Sequence, residues 1–288
     1  RMLVTVLVIM RGITKFFALK FSLLNLHQNK RIMPIRYVSS LLSIVILFSL
    51  GSCTYTTGEG PVVEKGFAKK PFQGVDLDGS FDVFIKQGAQ QNVLVLGNEN
   101  IIDKLKMDVL DDVLYLSLEP GTYLNYDLEV QITVPMVEYI SLSGSGDIKL
   151  GTFVGINELA VKLDGSGDIE SDGVLEVVNT ANLELDGSGD IDLKLKAGNV
   201  KASLDGSGDI DLAGTASTLE VRLDGSGDIK TFKLESLVTE AYLEGSGNID
   251  VYASKKLKAT LDGSGDIRYR GKPKVEASID GAGTIKAD

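Results

Sequence analysis

The chain has 288 residues, with 29 Lys and Arg against 40 Asp and Glu, for a formal net charge of −11. It holds one Cys, one His and no Trp. A lone Cys excludes an intrachain disulfide framework and a Cys-based zinc site, and the acid excess argues against nucleic acid as a partner, which needs a basic face to meet phosphate.

The charge is unevenly spread. Residues 1–52 carry seven basic residues, no acid and the single His27. From Cys53 onward the net charge is −18 and there is no His. The chain begins with Arg1, and Met33-Pro34-Ile35-Arg36 opens a short positive segment. An apolar core comes next over Leu41–Leu50, and then Gly51-Ser52-Cys53. That order reads as a secretory signal whose core is too short to span a bilayer permanently. Residues 1–32 are therefore expected to be an over-extended N-terminus, and 33–52 a lipoprotein signal peptide. Leu50-Gly51-Ser52-Cys53 resembles a bacterial lipobox, in which Cys53 is lipidated and anchors the chain to a membrane. Two or three acyl chains hold firmly where one is marginal. Thr54 in the next position fits outer-membrane delivery. Residues 53–70 then read as the lipidated Cys and a polar tether.

Residues 71–142 carry strand patterns. Phe81–Ile85, Val93–Leu96, Val113–Leu118 and Leu128–Val134 are short, apolar and rich in β-formers. Asn98–Lys106 reads as one or two helical turns. No linker separates this stretch from residues 143–288, so it is expected to form irregular rungs of one body spanning 71–288.

Residues 143–288 are repetitive. Ser143-Gly144-Ser145-Gly146-Asp147-Ile148 is the first clean copy of a turn that recurs to Asp280-Gly281-Ala282-Gly283-Thr284-Ile285. The first glycines stand at 144, 165, 187, 206, 225, 245, 263 and 281, spaced 18 to 22 residues apart. Asp78-Gly79-Ser80-Phe81-Asp82-Val83 is a weak earlier copy. Before most copies the pattern alternates, as in Leu159-x-Val161-x-Leu163 and Leu219-x-Val221-x-Leu223. Period two is strand, not helix. Gly-Ser-Gly supplies a tight corner. One such unit cannot bury its own apolar face, but stacked units can. The expected fold is all-β: a parallel β-solenoid, right-handed by the crossover rule, with 18–22 residues per rung.

Gly74–Gly88, Gly97-Asn98-Glu99-Asn100, Val134-Pro135 and the Gly-Ser-Gly-Asp-Ile series together resemble the head GIN domain family, described as auto-transporter adhesins and common among Bacteroidetes lipoproteins. The resemblance covers about 71–285. It implies a β-helix shaped like the pectin lyases, with glycines at the corners, and a role in adhesion. It carries no established catalytic residues to transfer.

Stacking would set the acids of the turns into two columns. One is Asp147, Asp168, Asp190, Asp209, Asp228, Asn248 and Asp266. The other is Asp164, Asp186, Asp205, Asp224, Glu244 and Asp262. Like charges about 5 Å apart repel by roughly 1 kcal/mol in bulk water and more near protein, so something must offset the repulsion. Two offsets are open: hydrogen bonds from turn amides, as in Asx-turns, or a divalent cation such as Ca2+. An EF-hand is excluded, because the sixth position of the loop beginning at Asp164 is Ile169 and the twelfth is Leu175. Without His in residues 53–288, a Ser-His-Asp triad or a His metal site cannot form there. Carboxylate chemistry of the glycosidase kind needs two acids at a set separation in a one-off cleft, whereas these acids recur in nearly every rung.

The expected protein is thus not an enzyme and needs no cofactor. It is a cell-envelope lipoprotein, periplasmic or surface-facing, acting as a binding or adhesion module for polysaccharide or protein. A carbohydrate-active β-helix enzyme and a purely structural stalk are the alternatives. Tyr115, Tyr123, Tyr126, Tyr242, Tyr252 and Tyr269 are the aromatics that could face a ligand.

Overall fold

Residues 55–288 are described by the structure, a computed structural model. The expected N-terminal extension 1–32, the signal 33–52 and the lipidation site Cys53 lie outside them. The first strands are β1 (Tyr55–Thr57), β2 (Val62–Phe67), β3 (Gly74–Gly79), β4 (Asp82–Gln87) and β5 (Asn92–Asn98). A single helical turn, α1 (Glu99–Ile102), leads to β6 (Leu105–Leu110), β7 (Val113–Leu118), β8 (Thr122–Leu124) and β9 (Leu128–Val134). The repeats form β10 (Tyr139–Gly144), β11 (Ile148–Leu150), β12 (Phe153–Gly165), β13 (Ile169–Gly187), β14 (Ile191–Gly206), β15 (Asp209–Gly225), β16 (Asp228–Gly245) and β17 (Asn248–Tyr252). The last are β18 (Lys256–Gly263), β19 (Asp266–Arg270), β20 (Lys274–Ile279) and β21 (Thr284–Ala287).

These strands build a parallel β-solenoid of about seven turns. The alternation seen in the sequence is the alternation of burial. Leu159, Val161 and Leu163 are sealed inside, while Lys162 and Asp164 between and after them are exposed. Each rung meets the next in register, so like positions stack. Leu163, Leu185, Leu204, Leu223, Leu243 and Leu261 form one internal ladder, and Ile148, Ile169, Ile191, Ile210, Ile229, Ile249 and Ile267 form another. Every member of both ladders is at most 2% exposed. At about 25 cal/mol per Å2 of buried apolar surface, these ladders are the main force holding rungs together.

The corner needs its glycines for two reasons. The first glycine of each turn, from Gly144 to Gly245, has φ between +125° and +155°, a region costly for any residue with a Cβ. The second lies flush on the rung below: a Cβ on Gly167 would overlap the carbonyl oxygen of Gly146. The same close approach makes the corner bonds. Ser166 and Gly167 both donate their amides to the Gly144 carbonyl, at 2.9 and 3.2 Å.

The weak copy at Asp78–Val83 is a true rung. Gly79 pairs with Gly144 and Val83 with Ile148, so β3 and β4 lie directly beneath β10 and β11. Phe81 stands where later copies have their second glycine, and it is buried. Beneath that rung the order departs from the chain. β7 and β9 pair parallel with β3 and β4. β6 then pairs antiparallel with β7, and β5 antiparallel with β9, followed by β2 on β5. The N-terminal end is thus closed by antiparallel strands. Two expectations are corrected here. Residues 54–70, read as a tether, carry β1 and β2. The helical reading of 98–106 holds only for α1, because Leu105 and Lys106 already belong to β6.

Candidate functional site

The repeated turns place both acid columns along one corner of the solenoid. In the column after the second glycine, each side chain caps the backbone of the next rung. The Asp147 carboxylate accepts the Asp168 amide at 3.1 Å, Asp168 accepts that of Asp190 at 3.0 Å, and Asp190 that of Asp209 at 2.9 Å. Asp209 and Asp228 continue to Asn248, the Asn248 side-chain oxygen accepts the Asp266 amide, and Asp266 accepts that of Thr284. Below, Asp82 receives the amide of Asp147. The chain of caps therefore runs unbroken from Asp82 to Thr284.

Charge along this column is only partly balanced. Lys230 bridges Asp209 and Asp228, and Lys286 meets Asp266 at 2.8 Å. Lys286 and the Thr284 hydroxyl hold the Asp266 carboxyl down at about 2. Asp168 has no such cation. Burial pushes its pKa up, the Asp190 amide it accepts draws it back in part, and the charges of Asp147 and Asp190 push it up again. The second column, Asp164, Asp186, Asp205, Asp224 and Asp262 with Glu244, stands exposed on the other side of the glycines. Among the described residues, no three acidic, His or Cys groups converge in a geometry that could hold a metal ion.

The face leading into the corner carries alternating charges that pair from rung to rung, such as Lys162 with Glu184 at 2.8 Å and Lys258 with Glu240 at 3.4 Å. Tyr242 lies between Arg222 and Lys258, whose charges sit 5.2 and 5.1 Å from its ring centre. Its hydroxyl donates to Glu240 at 2.6 Å and accepts from Lys258 at 2.8 Å. Phe232 is covered by Arg270, 4.2 Å from its centre. Of the other tyrosines, Tyr123 and Tyr126 meet edge to face at 6.0 Å and pack against the core, as Tyr269 does. Tyr252 is half-buried, and of the six only Tyr115 is exposed, at 42%. No row of exposed aromatics runs along the regular rungs.

The clefts lie elsewhere. One of about 750 Å3 opens in the irregular N-terminal part. Phe67, Pro71, Phe72, Val93, Pro135 and Met136 give it apolar walls, and Lys69, Gln73, Asn92 and Asp112 add polar groups. Its loop is stapled by Gln91, whose amide donates to the carbonyls of Lys69 and Lys70 and accepts the Phe72 amide. The β6–β7 hairpin reaches it at Asp112. Asp111 and Asp112 have φ of +48° and +60°, the geometry of a two-residue turn, and the Asp112 carbonyl accepts the amides of Gln73 and Gly74. A second cleft of about 640 Å3 is lined by Phe81, Leu96, Tyr123, Tyr126 and Leu128, with Asp82, Asp127 and Glu129. Hollows on the regular rungs are smaller, at about 200 Å3 between Glu184 and Arg222 and about 230 Å3 among Asp192, Asp211 and Lys230. No residue of the larger cleft stands out in the sequence as a ligand-binding candidate. Its walls come from four separate segments, none of which repeats.

A repetitive solenoid with glycine corners and an irregular, strand-closed N-terminal end defines a class of β-helical domains. The family described as "Putative auto-transporter adhesin, head GIN domain" matches residues 71–179 and 157–273, and the chain belongs to it. No curated protein matches the chain. Among solved structures, the "Putative lipid binding protein" of Parabacteroides distasonis ATCC 8503 is 26% identical, with a TM-score of 0.76 over 82% of this chain and 100% of that one. A "putative adhesin" of Parabacteroides merdae ATCC 43184 is 22% identical, with a TM-score of 0.74 over 81% and 99%. A "putative adhesin" of Parabacteroides distasonis ATCC 8503 is 23% identical, with a TM-score of 0.73 over 82% and 100%.

Proposed function

We propose that this chain is a cell-envelope lipoprotein, anchored in the outer membrane through Cys53, whose solenoid is a non-catalytic binding module with its ligand site in the N-terminal cleft. The observation that carries the reading is where the repeat is broken. The acids of the regular rungs recur in nearly every rung and, in one column, are committed to capping backbone amides. The one-off groups that recognition requires gather instead around the cleft between Phe67 and Met136. Its walls suit a ligand with an apolar body and a few hydrogen-bonding groups. The name of the relative from Parabacteroides distasonis, a lipid binding protein, agrees with that lining. Membership of an adhesin family supports attachment to a surface as the outcome of binding.

The test uses residues 54–288, a compact unit with its own core. A fluorescent fatty acid should bind saturably, and Met136→Arg, which fills the cleft with a charged side chain, should weaken it by about tenfold or more, the scale of a lost buried apolar contact. Binding by neither this probe nor any member of a glycan array would sink the reading of the cleft. The anchor is tested separately. Cells given labelled palmitate should label the wild-type chain and not Cys53→Ser, and equal labelling of both would remove Cys53 from the account.

A further inference from the structure

The two ends of the solenoid are finished differently. At the N-terminal end the outer edge of β6 is guarded, because the Lys69 ammonium donates to the Met107 carbonyl. A lysine over an edge strand is a common defence against pairing with another chain. At the other end, β20 pairs with β18 alone among the described residues. Lys274 and Asp280 send their amides back to Lys255 and Leu261. The alternation of a strand therefore turns the N–H and C=O groups of Val275, Ala277 and Ile279 outward, along the free edge. The same three residues continue the internal ladders of Leu257, Ala259 and Leu261. Val275 and Ile279 are nevertheless 36% and 50% exposed, since no rung among the described residues covers them. β21 is a lesser edge, only four residues long.

We propose that this open rung is a homodimer interface, in which β20 of one protomer pairs antiparallel with β20 of its partner about a twofold axis through Ala277. The register follows from the residues. With Ala277 on the axis, Val275 faces the partner's Ile279 and Glu276 faces the partner's Ser278. Lys274 faces the partner's Asp280, an opposite-charge pair. All outward N–H and C=O groups of Val275, Ala277 and Ile279 then meet partners, and the two apolar interiors become continuous. Moving the axis by one residue sets Glu276 against the partner's Glu276, or Glu276 against the partner's Asp280. Like charges directly opposite in a sheet are destabilising, so only one register is both full-length and free of repulsion. Such an interface is isologous and closes after two copies.

Sedimentation of residues 54–288, a compact unit with its own core, over a range of micromolar concentrations tests this. The wild type should show a monomer–dimer equilibrium. Lys274→Glu, which sets Glu opposite the partner's Asp280, should weaken dimerisation by about tenfold or more. Lys274→Glu combined with Asp280→Lys should restore it. Ala277→Pro removes an amide that the monomer does not use and should abolish the dimer, with circular dichroism and melting showing that the body still folds. A monomer at every concentration overturns the proposal. So does a dimer indifferent to these variants, or an open-ended series of oligomers, which would mark head-to-tail stacking. None of these outcomes depends on whether the N-terminal cleft binds a ligand.

Discussion

Asp168 and Asp266 occupy the same column and behave oppositely. Asp266 has Lys286 and the Thr284 hydroxyl beside it, so its folded pKa, about 2, lies below the usual carboxylate value. Its contribution to stability is present above the unfolded pKa of about 4 and is lost as pH falls through the folded one. Asp168 is pushed up by burial and by like charges. It therefore destabilises the fold while ionised, and that cost disappears as pH falls below its raised value. Asn248 shows how the column tolerates a neutral member: it donates to Asp228 from both backbone and side chain and still accepts the Asp266 amide. Asp168→Asn should accordingly raise the melting temperature at pH 7, with the gain shrinking towards pH 4. Asp168→Ala, which also removes the cap, should lose about 0.5–1.5 kcal/mol, the net worth of one hydrogen bond. Calorimetric melting across pH checks both, and a loss in Asp168→Asn equal to that in Asp168→Ala would mean that charge in the column is harmless.

At the scale of the rung, two glycines and two ladders decide everything. Gly208 lies against the carbonyl of Gly189 as Gly167 lies against that of Gly146. Gly208→Ala should therefore cost more than about 2 kcal/mol, because backbone rather than a flexible side chain must give way. Ser207→Ala, one residue earlier, should stay within about 0.5 kcal/mol of the wild type, because its side chain makes no contact the corner depends on. Urea unfolding compares the two, and equal midpoints would show that the rungs can part at the corner without cost. These elements were legible beforehand because each one signals its own geometry: period two for strand, Gly-Ser-Gly for corner, a constant interval for stacking. Residues 54–70 were not. Their polar sequence hides β1, which exists only by pairing with β8, and β2, which exists only by pairing with β5. Leu105–Leu110 likewise becomes strand because the Asp111–Asp112 turn folds it onto β7.

At the scale of the molecule, the solenoid is quasi-one-dimensional, and each rung depends on its neighbours. Its ends are therefore its weak points. The N-terminal end is covered by antiparallel strands, and among the described residues the edge beyond β20 is not. In the monomeric Lys274→Glu variant, amide exchange should be fastest in β20 and β21, with protection rising towards β14 and β15. In the paired wild type the β20 amides should slow. The sequence by itself determined the all-β class, the parallel stacking, the rung length and the acid columns, since a repeated local pattern can be satisfied only by laying each copy on the last. Tertiary structure alone decided that β3 and β4 sit between the rungs of β7–β9 and β10–β11. It alone gathered Phe67, Phe72, Val93, Asp112 and Met136 around one cleft and left the edge of β20 open. Those features depend on which distant segments meet, and no local period records a meeting that happens once.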